Sequence, residues 1–123
     1  MCATLEQTRS FKIPLCRHTL IQQMRAVILA AGKGERLYPL TLTTPKPLLP
    51  VGGKPLVDHL LCSLREVGIK EALLVVHHLA DQIKAYLGDT RSGVDLRYEV
   101  QKEVLGTADA LSSAELYVGD EPF

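Results

Sequence analysis

A glycine-containing loop that directly follows an apolar strand is the feature that most constrains this chain. Residues 25–29 (Arg-Ala-Val-Ile-Leu) predict a strand buried on both faces, as in a parallel sheet. Gly32 and Gly34 come next, and we expect both to adopt positive φ angles and to allow close approach of a ligand to the backbone. The following prolines block a helix interior: Pro39, Pro45, Pro47 and Pro50. The segment therefore predicts an irregular loop whose backbone N–H groups can bind an anion.

Two better-known glycine motifs do not fit this loop. The dinucleotide motif G-x-G-x-x-G needs a third glycine where Leu37 stands, and it needs a helix to begin at once. The phosphate loop G-x-x-x-x-G-K-[ST] fails because Leu37 also occupies its second glycine position. A plain surface turn stays open as an alternative. The neighbouring cations Lys33, Arg36 and Lys46 favour an anion site instead, and a triphosphate is the obvious anion.

Alternating strands and helices predict the scaffold around this loop. Further strands are expected at residues 72–76 and 96–100, the latter with one wetter face. Helices are expected from Pro55 to a stop at Gly68, from 79 to 87, and from a Thr107 cap to about Tyr117. Such alternation implies βαβ units and an α/β fold with a parallel sheet and flanking helices.

The carboxyl ends of the strands are where ligands bind in such sheets. The glycine loop, His77-His78 and residues 101–107 each follow a strand, so all should meet at one rim. Adjacent strand residues point to opposite faces, so we expect His77 and His78 to have structural roles and not to share a metal ion. Asp109 should lie in the first turn of a helix, where its negative charge interacts favourably with the helix dipole.

Two segments carry a family resemblance. Residues 29–50 resemble the signature of the sugar-1-phosphate nucleotidylyltransferases, roughly L-A-A-G-x-G-x-R-L-x-P-L-T followed by P-K-P-L-L-P. Residues 98–108, with Tyr-Glu-Val-Gln-Lys-Glu and Leu-Gly-Thr-Ala, are similar to the base-recognition segment of the same family. The resemblance implies a Rossmann-like sheet, as part of an incomplete GT-A-like domain. It also implies nucleotidyl transfer from a nucleoside triphosphate to a sugar 1-phosphate, with release of pyrophosphate.

Residue roles follow from the resemblance. It implies that Arg36 and Lys46 are catalytic, with Arg36 at the triphosphate and Lys46 at the α-phosphate. A Gln101 amide suits the edge of uracil or thymine, so UTP or dTTP is favoured. The implied nucleotide-binding residues are Leu29, Ala30, Ala31, Gly32, Lys33, Gly34, Gln101, Gly106 and Thr107. A mannose-1-phosphate guanylyltransferase and a non-catalytic regulatory or interaction module of this fold stay open as alternatives.

The two ends of the chain carry separate expectations. Residues 1–23 are expected to be a poorly ordered extension, and residues 24–123 the N-terminal part of the nucleotidyltransferase domain. The family implies Mg²⁺, but its metal-binding aspartate would lie beyond Phe123, so we assign no metal ligand here. We therefore expect the chain alone to be an inactive piece. For the full-length protein, homo-oligomer formation stays open.

Composition excludes several classes of partner. Lysine plus arginine and aspartate plus glutamate each number 14, a balance that gives no support for a nucleic-acid or membrane surface. No stretch approaches the roughly 20 apolar residues that a membrane span needs. Cys2, Cys16 and Cys62 are odd in number and form no C-x-x-C motif, which favours reduced thiols and a cytoplasmic location.

Overall fold

The computed structural model describes residues 24–103 and 105–123, so the expectation for residues 1–23 lies outside the described part. The described residues form these strands: β1 (Ala26–Ala30), β2 (Pro50–Val51), β3 (Lys54–Pro55), β4 (Glu71–Val76), β5 (Thr90–Arg91) and β6 (Val94–Val100). A four-stranded sheet has the order β1–β4–β6–β5, and β2 and β3 form a separate two-stranded ribbon. Pairing is parallel between β1, β4 and β6, which confirms the predicted parallel sheet, while β5 pairs antiparallel with β6.

The described residues also form these helices: α1 (Leu56–Glu66), α2 (Ala80–Leu87), α3 (Thr107–Ser112) and α4 (Glu115–Val118). The first two connect the parallel strands, and α3 and α4 follow β6. The stop predicted for α1 is confirmed, because Gly68 adopts a φ of 94°. The Gly68 N–H donates a hydrogen bond to the Arg65 carbonyl at 3.0 Å, and the Ile69 N–H donates one to the Leu64 carbonyl at 3.0 Å. This pair of bonds is a Schellman motif, and it satisfies the last carbonyls of the helix.

The third predicted helix is wrong in two respects. Its N-cap is Gly106, with no side-chain cap, and Thr107 is already the first helical residue. The helix also ends at Ser112, and α4 starts separately at Glu115. At the break, the Ser113 hydroxyl donates to the Asp109 carbonyl at 3.1 Å. A hydroxyl that bonds the carbonyl four residues earlier competes with the helical ladder and tends to bend it.

Both faces of the sheet are covered at β4, as predicted. The first strand, β1, lies at an edge of the sheet and is only partly buried, with Leu29 exposed, so its predicted burial on both faces is wrong. Leu74 and Val76 belong to a buried cluster with residues of α1 and α2. Leu73 and Val75 point to the other face, where they pack with Ala110 and Ala114 beside α3 and α4. This alternation follows from the two-residue period of a strand. Helices therefore lie on the two faces of one sheet, which leaves the strand ends as the exposed rim.

The ribbon and β5 were not predicted, because strands of two residues are too short to show alternation. Both hairpins have two-residue loops in which each central residue has a positive φ. The φ angles are 58° and 86° at Gly52 and Gly53, and 54° and 77° at Ser92 and Gly93. Such loops match the twist of the strands that they join. The Gly-Gly and Ser-Gly pairs were the available sequence signals.

Two further expectations concern the redox state of the cysteines and the absence of membrane-spanning segments. Cys62 is disulfide-bonded, so the prediction of reduced thiols is wrong for this residue; Cys2 and Cys16 lie outside the described residues. Spacing along the chain does not determine such pairing, which depends on proximity of the sulfur atoms in the fold. Within the described part, no helix combines the length and the apolar character that crossing a bilayer requires.

Candidate active site

The carboxyl ends of the three parallel strands lie side by side. Ala30 of β1 is in register with Val76 of β4, and Val76 is in register with Val100 of β6. The residues that follow these positions are the glycine loop, His77 and Gln101. The prediction of a single rim is therefore confirmed, and this rim is where a sheet of this kind binds ligands.

Thr41 holds the glycine loop in place, a role that the sequence did not reveal. The side chain is fully buried, at 0% exposure, and its hydroxyl donates to the Gly34 carbonyl at 2.6 Å. The Thr41 carbonyl in turn accepts a hydrogen bond from Nε2 of His78 at 3.1 Å. Gln82 of α2 adds a bond to the Thr43 carbonyl at 3.0 Å. The loop is thus tied to the end of β4 and to the start of α2.

The two glycines of the loop differ, and one prediction fails. Gly34 has a φ of 67°, and a Cβ built there would lie 2.9 Å from Cγ2 of Thr41. Glycine is therefore required at this position both by conformation and by space. Gly32 does not adopt a positive φ, contrary to expectation. A Cβ at Gly32 would meet nothing within 4 Å, so glycine leaves open space beside the backbone there.

Cations converge on a cleft beside Gly34. The cleft has a volume of about 570 Å³ and is lined by Lys33, Gly34, Glu35, Arg36, Leu37 and Lys46. The structure therefore brings together both predicted catalytic residues and part of the glycine loop. Lys33, Arg36 and Lys46 are exposed, and none forms an ion pair with another described residue. Unpaired cations on one wall attract a multiply charged anion.

A smaller cleft continues on the other side of Lys46. It has a volume of about 290 Å³, and the predicted site residues Leu29, Ala30 and Gly32 lie on its wall together with Lys46. Ala31 is instead buried beneath the rim, where it packs against Ala110 of α3. Lys46 thus stands between the two clefts, where its ammonium can act on a ligand that spans both.

The backbone around Lys46 is held firmly, as its flanking prolines predict. Pro45 is fully buried, and Lys46 begins a short 3₁₀ turn that ends at Leu48. The Leu48 N–H donates to the Pro45 carbonyl at 2.9 Å, and the Leu49 N–H to the Lys46 carbonyl at 3.1 Å. An anchored backbone presents the ammonium with little loss of conformational freedom on binding.

Gln101 lies at the predicted place, but its side chain turns into the protein. Only 3% of the residue is exposed, and its Nε2 donates to a carboxylate oxygen of Asp109. Its Oε1 is buried without a hydrogen-bond partner among the described residues. The amide is therefore not open to a ligand in this arrangement. Asp109 has a role beyond the expected helix-dipole effect, because it fixes the direction of this amide.

The remaining rim residues lie at the ends of β4 and β6 and at the start of α3. His77 donates from Nδ1 to the Gln101 carbonyl at 2.7 Å, so it joins the ends of β4 and β6. His77 and His78 bond different segments, as predicted from their opposite directions. Gly106 and Thr107 stand at the start of α3, which packs over the end of β1. The predicted base-binding segment is thus adjacent to the strand that carries the glycine loop.

Potential metal ligands among the described residues are sparse at this rim. The described part of the chain contains no group of three or more His, Cys, Asp or Glu side chains placed to hold a metal. Glu35 is the carboxylate that lines the cation cleft. Magnesium is usually held by one or two carboxylates with water and substrate phosphates, so a single side chain does not define its position. The roles proposed below therefore belong to side chains of this protein and not to a metal ion.

Comparisons with known proteins agree with this geometry. The family model described as "Nucleotidyl transferase" matches residues 25–123. An N-acetylmuramate alpha-1-phosphate uridylyltransferase of Neisseria meningitidis is 46% identical over 104 residues, which cover 81% of this chain and 44% of that protein. A mannose-1-phosphate guanyltransferase of Yarrowia lipolytica is 41% identical over 106 residues, covering 81% of this chain and 29% of that protein. The chain thus spans less than half the length of these relatives.

Solved structures show the same fold. A Bacillus anthracis protein, described as a candidate glucose-1-phosphate thymidylyltransferase in complex with a sucrose, is 38% identical with a TM-score of 0.73. The match covers 79% of this chain and 40% of that one. A UDP-glucose pyrophosphorylase of Acinetobacter, at 22% identity, a TM-score of 0.73 and coverage of 80% and 42%, supports the fold alone. Motif, rim geometry and family model agree, and the chain belongs to the nucleotidyl transferase family.

Proposed function

We propose that this chain supplies the triphosphate-binding part of a sugar-1-phosphate nucleotidyltransferase. A phosphate oxygen of the sugar 1-phosphate attacks the α-phosphorus of a nucleoside triphosphate, a new P–O bond forms, and pyrophosphate leaves. The cleft lined by Lys33, Arg36 and Lys46 is the observation that carries the proposal. These cations lack a described acidic partner, so they are available for the charges of a triphosphate.

Each cation has a distinct task in this reaction. The guanidinium of Arg36 can bond two phosphate oxygens at once, which orients the triphosphate. The ammonium of Lys46 is a compact charge beside the α-phosphate, where it offsets charge that develops on the five-coordinate phosphorus. The open space at Gly32 lets a phosphate approach the backbone. Little covalent chemistry falls to the protein, so alignment and charge are its contribution.

UTP or dTTP is the proposed nucleotide. The amide of Gln101 suits a uracil or thymine edge, although it must turn away from Asp109 to meet a base. The Neisseria relative is named as a uridylyltransferase, which supports the same choice. GTP with mannose 1-phosphate is the second candidate, favoured by the 41% identity to the Yarrowia guanyltransferase. Magnesium belongs to the proposal as the expected metal ion, and we assign no ligand for it among the described residues.

Replacement of Lys46 in the full-length protein tests the proposed chemistry. We expect Lys46→Ala to lower turnover by about 10²–10³, the usual effect of removing one group that stabilises a transition state. Lys70→Ala is the matched control, because Lys70 is exposed and directly precedes β4, at the opposite end of the sheet. Near-normal turnover by Lys46→Ala would refute the assignment of Lys46. Absence of turnover in the wild-type full-length protein would instead favour a non-catalytic module of this fold.

Parallel assays with UTP, dTTP, GTP and ATP decide the nucleotide. Each is supplied with glucose 1-phosphate, N-acetylglucosamine 1-phosphate or mannose 1-phosphate, and pyrophosphate release is measured. We expect activity with UTP or dTTP. Activity confined to GTP and mannose 1-phosphate would replace the first candidate with the second and would leave the roles of Arg36 and Lys46 unchanged.

A further inference from the structure

A second polar cleft lies away from the glycine loop. It has a volume of about 740 Å³ and lies between α1, α2 and the two hairpins. Lys54, Asp58, Arg65, Arg91 and Ser92 are among its lining residues. None of its lining residues lies on either cleft beside Lys46. The cleft is therefore separate from the surface assigned to the triphosphate.

Asp58 and Arg91 form the floor of this cleft. Asp58 is only 7% exposed, and both its oxygens accept hydrogen bonds from Arg91 at 3.0 Å. The Tyr86 hydroxyl donates to the same carboxylate at 2.7 Å. Burial raises the pKa of Asp58, but the bonds from Arg91 and Tyr86 and the charges of Arg91 and Lys54 outweigh it and lower that pKa. The carboxylate is thus ionised, and its charge is committed to Arg91.

Two further cations on the walls of this cleft form no ion pair. Lys54 and Arg65 form no ion pair with any residue in the described ranges. Nζ of Lys54 and Oγ of Ser92 lie 3.9 and 3.8 Å from the sulfur atom of the disulfide-bonded Cys62, which also lines the cleft. Nε of Arg65 packs against the second hairpin, 3.0 Å from the position of a Cβ on Gly93.

The resulting positive charge is local. The whole chain carries 14 basic and 14 acidic residues, whereas the lining of this cleft contains Lys54, Arg65 and Arg91 against Asp58 alone. Because Arg91 is paired, Lys54 and Arg65 leave an excess of positive charge beside a hydroxyl donor. Ammonium, guanidinium and hydroxyl groups are the side-chain donors that bind phosphate.

We propose that this cleft is a second anion site, which binds a small molecule carrying a phosphate group. Lys54 and Arg65 supply the charge-assisted hydrogen bonds, and the Ser92 hydroxyl supplies a neutral one. The volume lies within the usual range for small-molecule sites and exceeds the need of phosphate alone, so an ester of phosphate suits it. The proposal does not depend on the nucleotide or sugar that the family site uses.

Titration of the purified chain tests the site. Inorganic phosphate and glucose 6-phosphate are the probes, and binding is followed by calorimetry and by amide chemical shifts. We expect Lys54→Gln/Arg65→Gln to weaken binding of both probes by at least about tenfold, since two charge-assisted bonds are lost. Lys70→Gln/Lys102→Gln is the matched control, because both side chains are exposed and line none of the three clefts, and it should leave this binding unchanged.

Several outcomes would overturn the proposal. Unchanged binding in Lys54→Gln/Arg65→Gln, an equal loss in Lys70→Gln/Lys102→Gln, or no saturable binding of either probe would each do so. Circular dichroism checks that the double variant is folded; if it is not, the single Lys54→Gln is tested in the same way. Equal binding of both probes and tighter binding of the ester both support the site, provided that each depends on Lys54 and Arg65.

Discussion

Replacement of Gly34 by alanine tests how the glycine loop is held. Gly34 has a φ of 67°, a region that costs a residue with a Cβ about 1–2 kcal/mol. The new methyl group would also lie 2.9 Å from Cγ2 of Thr41, which is buried and tied to the Gly34 carbonyl. Overpacking of this kind adds about 1–3 kcal/mol. We expect a total loss of about 2–5 kcal/mol in the free energy of unfolding, a large part of the stability of a small domain.

Urea unfolding and thermal melting measure this loss, and Gly32→Ala is the control. Gly32 has no positive φ and no neighbour within 4 Å of a built Cβ, so its replacement should stay within about 0.5 kcal/mol of wild type. In Gly34→Ala, Tm should fall by roughly 10 °C or more. Equal stability of the two variants would show that the reasoning is wrong.

A double-mutant cycle separates the two causes of the loss. Thr41→Ser removes Cγ2, the atom that clashes, and keeps the hydroxyl that bonds the Gly34 carbonyl. In the Gly34→Ala/Thr41→Ser protein the steric part should be relieved, while the backbone part of about 1–2 kcal/mol should remain. We expect a coupling energy of about 1 kcal/mol or more between the two sites. A coupling energy near zero would mean that Thr41 is not the obstacle.

Other predictions concern stability and activity. Tyr117→Phe should stabilise the protein by about 1 kcal/mol in urea unfolding, because the Tyr117 hydroxyl is buried without a hydrogen-bond partner among the described residues; a less stable variant would contradict this. Because the pKa of Asp58 is lowered on folding, its stabilising contribution is present above about pH 4 and is lost as pH falls through the lower folded value. Asp58→Asn should therefore flatten the acid loss of stability, and equal slopes in both proteins would disprove the link. Residues 1–123 alone should give no nucleotide-sugar in a radiolabelled assay; measurable synthesis would show that the chain is sufficient.

Much of the scaffold was readable from local patterns. The apolar runs predicted the strands β1 and β4, of which only β4 is buried on both faces, and Gly68 and Gly88 predicted where α1 and α2 end. Strand order along the chain then placed the glycine loop, His77 and Gln101 at one rim, because parallel strands share the direction of their carboxyl ends. The very short strands escaped prediction, since two residues show no alternation. The break between α3 and α4 also escaped prediction; the hydroxyl of Ser113 bonds the Asp109 carbonyl there, a contact that tends to bend a helix.

The clustering of Arg36 and Lys46 followed from chemistry that is encoded locally. A glycine bend, prolines beside a lysine and a nearby arginine are properties of adjacent residues, so they can be recognised before any fold is known. Contacts between residues that are distant in the sequence cannot be recognised in this way, because they depend on where the folded chain places each group. Thr41 against Gly34 and His78, and the turn of the Gln101 amide toward Asp109, belong to this second kind. Packing at the rim, and not residue type, determined that Gly34 must be glycine and that the Gln101 amide faces the interior.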